Sequence, residues 1–367
     1  MKIIYLIAGT YRPAGMERVL SMKAGWLSRD NEVVIVTTDQ RGREPVFGLG
    51  NYRQIDLGID YEETNGRNFL IKTVAYVFKH LRHRRLLKRV LMGEKAGIVV
   101  SMFNNDVDIL PGIKDGSRKV LEVHFSRFKR IQYGRKGLWK IADEIRSRNE
   151  VRDAARFDRF VVLTEEDKSY WEADYKKAGL ESNIVCIPNA RTFTFDAPAS
   201  LTGRQVLAAG RFSHQKGFDM LLDAWKLIQA PGWTLRIAGD GEIPADLPDN
   251  VIAGPSSDIR REYQESSLFV LSSRYEGFGM VLVEAQAAGL PMVSFNCKCG
   301  PSEIITDGED GFLVPAEDIA ALADRMKQLM EDEMLRTRMG QAAFRNSPRF
   351  DETVIFGKWK ELFESLR

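Results

Sequence analysis

The chain has three cysteines in 367 residues, Cys186, Cys297 and Cys299. That is too few for a disulfide framework, and Cys297-Lys298-Cys299 has no second cysteine pair with which to hold zinc. Histidine is as sparse: His80, His83, His124 and His214 are too scattered for a Cys/His cluster, so no metal site is expected. No apolar run approaches the ~20 residues that span a bilayer, and the mean hydropathy is -0.27. The apolar start, Met1 to Ala8, meets Gly9 and Pro13 too soon for a signal-peptide core. It reads as a first strand, with the protein expected in the cytoplasm. The GxGxxG spacing of a dinucleotide site is missing after that strand, and only Asp39 loosely matches the acidic partner. A sequence pI near 8.3, without a zinc finger or an aromatic-basic RNA signature, gives no argument for nucleic acid.

What is present is alternation. Short β-branched runs (Lys2–Ala8, Glu32–Thr38, Gly97–Met102, Lys119–His124, Arg159–Thr164) alternate with helical patterns. That order predicts a parallel sheet covered on both faces. Thr192–Gly203, with Pro198, reads as an interdomain linker. A second series follows: Gln205–Ala209, Trp233–Ala238, Asn250–Ala253, Leu268–Leu271, Pro291–Ser294 and Gly311–Val314. The expected fold class is α/β, two doubly wound Rossmann-like domains facing each other across a cleft.

The net charge of +2 conceals an asymmetry. Residues 1–185 hold 34 Lys/Arg against 25 Asp/Glu, a net +9, which leaves 19 against 26, a net -7, for the remainder. Two clusters carry the excess. Lys79–Arg89 has six cations and no acid, inside an apolar-periodic stretch from about Phe69 to Leu91. Arg82, Arg85 and Arg89 fall on one helical face, and Leu70, Val74, Val77, Phe78 and Leu81 read as a buried stripe behind them. Arg127–Lys140, with Arg127, Lys129 and Arg130, mixes six cations with Phe128 and Trp139. Each cluster suits either a solvated surface or an anionic membrane partner.

In the second half, Gly210-Arg211 … Lys216-Gly217 leaves a strand and enters a helix, so Arg211 and Lys216 occupy a loop suited to a diphosphate. Glu276-Gly277-Phe278-Gly279 leaves another strand, and Glu284 lies about one turn into the following helix. Glycines admit close backbone approach, and the two carboxylates suit vicinal hydroxyls of a ribose or hexose. Gly239-Asp240-Gly241 reads as a tight turn. In the first half, Gly15 opens a helix and suits a phosphate from across the cleft; His124 follows a strand. Asp106-Val107-Asp108 reads as a helix cap rather than a metal-binding acidic pair.

Taken together these motifs resemble the family 4 retaining glycosyltransferases of the GT-B fold, in order along essentially the whole chain. The resemblance implies that Arg211 and Lys216 bind the donor diphosphate and Glu284 its ribose. It implies that Glu276 meets the transferred sugar beside the amides of Gly277, Phe278 and Gly279, and that His124 touches the donor sugar. It implies an acceptor domain of 1–190 joined by a returning helix at 351–367, and a donor domain of 191–350. Cys299-Gly300-Pro301 departs from the consecutive glycines of many members. The expected activity is metal-independent retaining transfer of a hexose-type sugar, from a UDP-sugar above others, to a saccharide acceptor, with no cofactor. Lipid-linked or surface-polysaccharide intermediates are the expected acceptors, at the inner face of the cell membrane; Arg82, Arg85, Arg89, Arg127, Lys129 and Arg130 would face acceptor or lipid. The alternatives are a synthase with a soluble acceptor and a non-catalytic nucleotide-sugar-binding scaffold.

Overall fold

The computed structural model describes residues 1–48, 50–64, 69–129, 137–229 and 231–367. The chain forms two compact units, Met1–Ile187 with Phe356–Arg367, and Pro188–Ile355. Thr192–Gly203 is therefore no interdomain linker but lies wholly inside the second unit. Phe195 and Leu201 are buried there, the Ala199 amide donates to the Ala288 carbonyl (2.8 Å), and Arg336 Nε donates to the Leu201 carbonyl (3.2 Å). Without a helical or strand period the segment reads as a spacer, yet its scattered apolar side chains seal a core.

The first unit is a seven-stranded parallel sheet in the order β3-β2-β1-β4-β5-β6-β7. Its strands are β1 (Lys2–Ile7), β2 (Glu32–Thr37), β3 (Tyr52–Asp56), β4 (Ile98–Ser101), β5 (Arg118–Glu122), β6 (Arg159–Val162) and β7 (Ile184–Cys186). Ile4 pairs with Val34 on one side and Val99 on the other, so the chain reverses its winding at β1/β4. The central strands are apolar on both faces because helices cover both. These are α1 (Gly15–Leu27), α2 (Phe69–Glu94), α3 (Leu138–Ala154) and α4 (Glu165–Ala178). Helix α4 shows its limits in sequence: Thr164 Oγ1 accepts from the Asp167 amide (3.0 Å), and Gly179 closes the helix at φ +67°.

Helix α2 is turned the other way from the sequence expectation. Its core face is His83, Leu87 and Leu91, all at most 1% exposed, whereas Val74, Val77, Phe78 and Leu81 are 51–68% exposed. Those four lie on the opposite side of the helix, in line with exposed Arg82, Arg85 and Arg89. The cause is local. Leu87 and Leu91 fix which side faces the sheet, and the Tyr61 hydroxyl lies 3.0 Å from His83 Nδ1, satisfying a polar group on the inner face. Asp106-Val107-Asp108 also differs from its reading: turns lead there into a short 3-10 segment, Leu110–Gly112, and Asp108 lies 2.9 Å from His80 Nε2.

The second unit is a six-stranded parallel sheet in the order β10-β9-β8-β11-β12-β13. It comprises β8 (Gln205–Ala209), β9 (Thr234–Ala238), β10 (Val251–Gly254), β11 (Leu268–Leu271), β12 (Met292–Phe295) and β13 (Gly311–Val314). Its helices are α5 (Phe218–Leu227), α6 (Ile259–Glu265), α7 (Met280–Ala287), α8 (Pro301–Ile304), α9 (Ile319–Glu331) and α10 (Glu333–Asn346). The winding reverses at β8/β11, where ligands of open α/β sheets bind. Helix α11 (Glu352–Glu364) begins in this unit and ends in the first, where Phe356 packs on Trp26 (ring centroids 5.7 Å).

Candidate active site

The loops leaving β8 and β11 meet at this switch point and are zipped together. The Arg274 amide donates to the Gln215 carbonyl (2.8 Å), Gln215 Nε2 to the Tyr275 carbonyl (3.1 Å), and Ser272 Oγ to the Lys216 carbonyl (3.0 Å). Arg274 adds a two-pronged bond to Asp219 (2.9 and 2.6 Å) and one to the His214 carbonyl (2.9 Å). Two glycines make the approach possible. Gly217 has φ +61°, and a Cβ there would collide with the Ser272 carbonyl. A Cβ on Gly210 would stand 2.9 Å from Lys216 Cε, so that glycine leaves room for the lysine stem.

Lys216 and Glu276 are thereby brought together: Nζ lies 2.7 Å from Oε1, which also accepts from Ser273 Oγ (2.6 Å). Arg211 lines an adjoining cavity of about 440 Å³ with Ser213, His214, Asp240 and Tyr275; Lys216, Glu276 and Glu284 do not line it. Glu284 is buried in the first turns of α7 and has a different partner, Oε2 accepting from the Tyr263 hydroxyl (2.8 Å). The two carboxylates thus flank the start of α7 with separate supports. Gly279 caps α7 at φ +99°, and Phe278 is buried with its ring against Phe350 (5.8 Å). Any ligand contact from Gly277-Phe278-Gly279 would come from backbone.

Sequence reasoning missed Ser273, Arg274, Gln215 and Tyr263. Gln215 and Arg274 bond to residues 60 positions away and Tyr263 to one 21 away, whereas Ser273 bonds to Glu276 only three residues on; no local period marks any of them.

In the first unit, Gly15 begins α1 with no side-chain cap on the helix. His124 stands just past β5, its Nε2 3.1 Å from Glu122 Oε1. Glu122 is 1% exposed and pairs with Lys23 of α1, whose ammonium lies 3.7 Å from the Trp359 ring centroid of α11. Burial pushes the Glu122 carboxyl up, but attraction to Lys23 and His124 prevails and holds it at about 2. Burial lowers Lys23.

The second basic cluster is not a free cationic surface in its described part. Arg127 pairs with Asp174 (2.9 Å), donates to Ser147 Oγ (2.5 Å) and lies over the Trp171 ring. Lys129 sits over Phe125 (3.9 Å), and Phe128 packs edge-on against Tyr170 (4.6 Å). Composition alone does not show that α4 supplies Asp174, Trp171 and Tyr170 and α3 supplies Ser147. Arg130 and residues 131–136 lie outside the described residues, as does the side chain of Trp139. Among the described residues no helix is long and apolar enough to cross a membrane.

Residues 191–346 match the model of the family "Glycosyl transferases group 1". The chain is 35% identical over 222 residues to the amylovoran biosynthesis glycosyltransferase AmsD of Erwinia amylovora, covering 56% of this chain and 62% of AmsD. The chain therefore spans about three fifths of that relative. Over its full length (100%, and 99% of the relative) it is 23% identical to a Campylobacter jejuni enzyme. That enzyme is named as an alpha-1,4-N-acetyl-D-galactosaminyltransferase acting on a diNAcBac-PP-undecaprenol-linked saccharide. The crystal structure of an S. aureus TarM variant, solved with fondaparinux, alpha-GlcNAc-glycerol and UDP, superposes with a TM-score of 0.76 at 16% identity, covering 99% of each chain. That likeness identifies the fold as GT-B. The likeness to that family model is thus one of residues 191–346, which lie within the second unit.

Proposed function

We propose that the protein is a retaining glycosyltransferase that moves a hexose-type sugar from a nucleoside diphosphate, UDP above others, to a saccharide acceptor. The observation that carries the reading is the Lys216–Glu276 pair beside the Arg211 cavity, inside the domain that matches the family. As the donor bond breaks, negative charge develops on the diphosphate and positive charge on the anomeric carbon. Arg211 and Lys216 answer the first; Glu276 faces the second and Glu284 takes the ribose hydroxyls. Gly15, at the start of α1 in the first unit, is the residue to which its place in the sequence gives a phosphate. His124, held beside Glu122 in the first unit, is the residue to which the family resemblance gives the donor sugar. The leaving phosphate accepts the acceptor proton on the same face, which keeps the anomeric configuration. Because two cations serve the diphosphate, the reaction is proposed to run without a divalent metal.

The acceptor is proposed to be a lipid-linked glycan or surface-polysaccharide intermediate, met at the inner face of the cell membrane. The Campylobacter and Erwinia relatives support that class, and so does the outward face of α2, apolar from Val74 to Leu81 and cationic from Arg82 to Arg89. Release of UDP from a panel of UDP-sugars, with and without EDTA, tests the reading. Turnover that persists in EDTA supports it; strict dependence on manganese removes the metal-free mechanism, and donor binding without hydrolysis or transfer returns the chain to a scaffold role.

A further inference from the structure

Tyr263 is fully buried, and its hydroxyl reaches Glu284 Oε2 at 2.8 Å, with the Val281 carbonyl a longer alternative at 3.4 Å. Its helix, α6, is fixed at its start and at its middle. Asp258 caps it by accepting from the Arg261 amide (3.1 Å), and Glu262 pairs with Arg236 (2.8 Å). Arg236 is 8% exposed and also donates to the Ile237, Gly254 and Pro255 carbonyls. The Tyr263 ring is wedged against Phe269 (5.8 Å) and Phe193 (6.5 Å). The Glu284 carboxylate is the nearer of the two acceptors that the Tyr263 hydroxyl reaches.

We propose that Tyr263 is the positioning residue for Glu284, setting the plane of its carboxylate so that the nucleotide's vicinal ribose hydroxyls find their acceptor already oriented. The inference rests on the assignment of Glu284 to the ribose. The end of a glutamate side chain rotates freely about its last torsion, and a buried carboxylate needs donors to offset lost hydration. Tyr263 meets both needs at one oxygen. A tyrosine does so without neutralising the charge, as a lysine or arginine would. The tyrosine itself leaves the carboxylate its negative charge, and hydroxyl bonds to an ionised group are about twice as strong as neutral ones. The same device selects ribose over a nucleotide lacking those hydroxyls.

Calorimetric titration with UDP and with 2′,3′-dideoxy-UDP tests this in the wild type, Tyr263→Phe, Glu284→Gln and the double variant. Phenylalanine keeps both ring contacts and removes the hydroxyl alone. The wild type should prefer UDP, and Tyr263→Phe should shrink that preference by about tenfold, the scale of one mis-set bond to a charged group, while leaving dideoxy-UDP affinity unchanged. In the Glu284→Gln background the tyrosine substitution should have no further effect. Equal losses for both nucleotides would mark Tyr263 as packing only and overturn the proposal, as would an unchanged preference. A wild type that binds both nucleotides equally overturns the ribose assignment itself, and the positioning role with it.

Discussion

Lys216 Nζ lies 2.7 Å from Glu276 Oε1, so the cation assigned to the donor diphosphate is already held by the carboxylate assigned to the donor sugar. A diphosphate entering the site shares or takes that lysine. The consequence for mutation is a loss of charge stabilisation rather than of fold, because the loop is fixed by Gln215, Ser272 and Arg274 through other bonds. Arg211→Ala and Lys216→Ala should each cost about 2–4 kcal/mol of transition-state stabilisation, the scale of one preorganised donor to developing charge. Steady-state kcat/KM with unchanged thermal melting checks this. Near-normal turnover in both variants would remove the diphosphate assignment.

The separate supports of the two glutamates predict separate effects. Glu284→Ala should weaken binding of free UDP, since the ribose loses its acceptor. Glu276→Ala releases Lys216, so UDP affinity should hold or rise while binding of the intact UDP-sugar falls. Calorimetry with both ligands decides it, and equal effects of both substitutions on both ligands would contradict the division.

Legibility of the sequence followed locality. Strands apolar on both faces, such as Ile98–Ser101 and Leu268–Leu271, announce themselves, as do the loops whose glycines bracket Arg211 and Lys216 or follow Glu276. Edge strand β3 was not foreseen, because Tyr52-Arg53-Gln54-Ile55-Asp56 is polar at three of five positions and only half covered. The orientation of α2 failed for a related reason. Val74, Val77, Phe78 and Leu81 in its first half face outward, and the side facing the sheet is set by Leu87 and Leu91 and by a bond between Tyr61 and His83, 22 residues apart. The partners of Arg127 and Glu284 are tertiary contacts that no spacing encodes.

The buried trio of Lys23, Glu122 and His124 should be costly to break. Lys23→Ala leaves Glu122 desolvated and unneutralised by its ammonium, a loss of about 3–5 kcal/mol for removal of one partner of a buried pair. Lys23→Met with Glu122→Gln should recover most of it, since the uncompensated charge is gone. The sign with pH follows from the depressed carboxyl: its contribution is present above the unfolded value near 4.5 and is lost as pH falls towards 2. Urea unfolding at pH 7 and pH 3 measures both; an equal cost for the single and double variants would disprove the pairing.

Asp106 runs the opposite way. Burial raises its carboxyl to about 7. The folded chain keeps there a proton that the unfolded chain gives up near 3.8, so this group lowers stability as pH rises from about 4 to 7. Asp106→Asn removes the titration. Its stability relative to the wild type should therefore climb through that window and level off above it, by a few kcal/mol at most. Parallel pH profiles for the two proteins would show that Asp106 is ionised throughout.

The outward face of α2 gives the last prediction. Val74, Val77, Phe78 and Leu81 are exposed together with Arg82, Arg85 and Arg89, and no acid interrupts Lys79–Arg89. Against an anionic bilayer each cation near the surface contributes about 1 kcal/mol, and the apolar end can bury into the acyl boundary. Vesicles of phosphatidylglycerol and phosphatidylcholine should therefore float the protein reversibly, less so at high salt. Val77→Ser with Phe78→Ser and Leu81→Ser should weaken flotation even at low salt, while charge reversal at Arg82, Arg85 and Arg89 should abolish it. Activity on a detergent-solubilised acceptor separates lipid from substrate: loss there after neutralising the three arginines assigns them to an acceptor pyrophosphate, and full retention assigns them to the bilayer. Charge reversal at Arg127 should instead lower the melting temperature, because that side chain is tied to Asp174 and Ser147. Flotation unchanged by both sets of α2 substitutions would dispose of the membrane reading and leave this face an ordinary solvated surface.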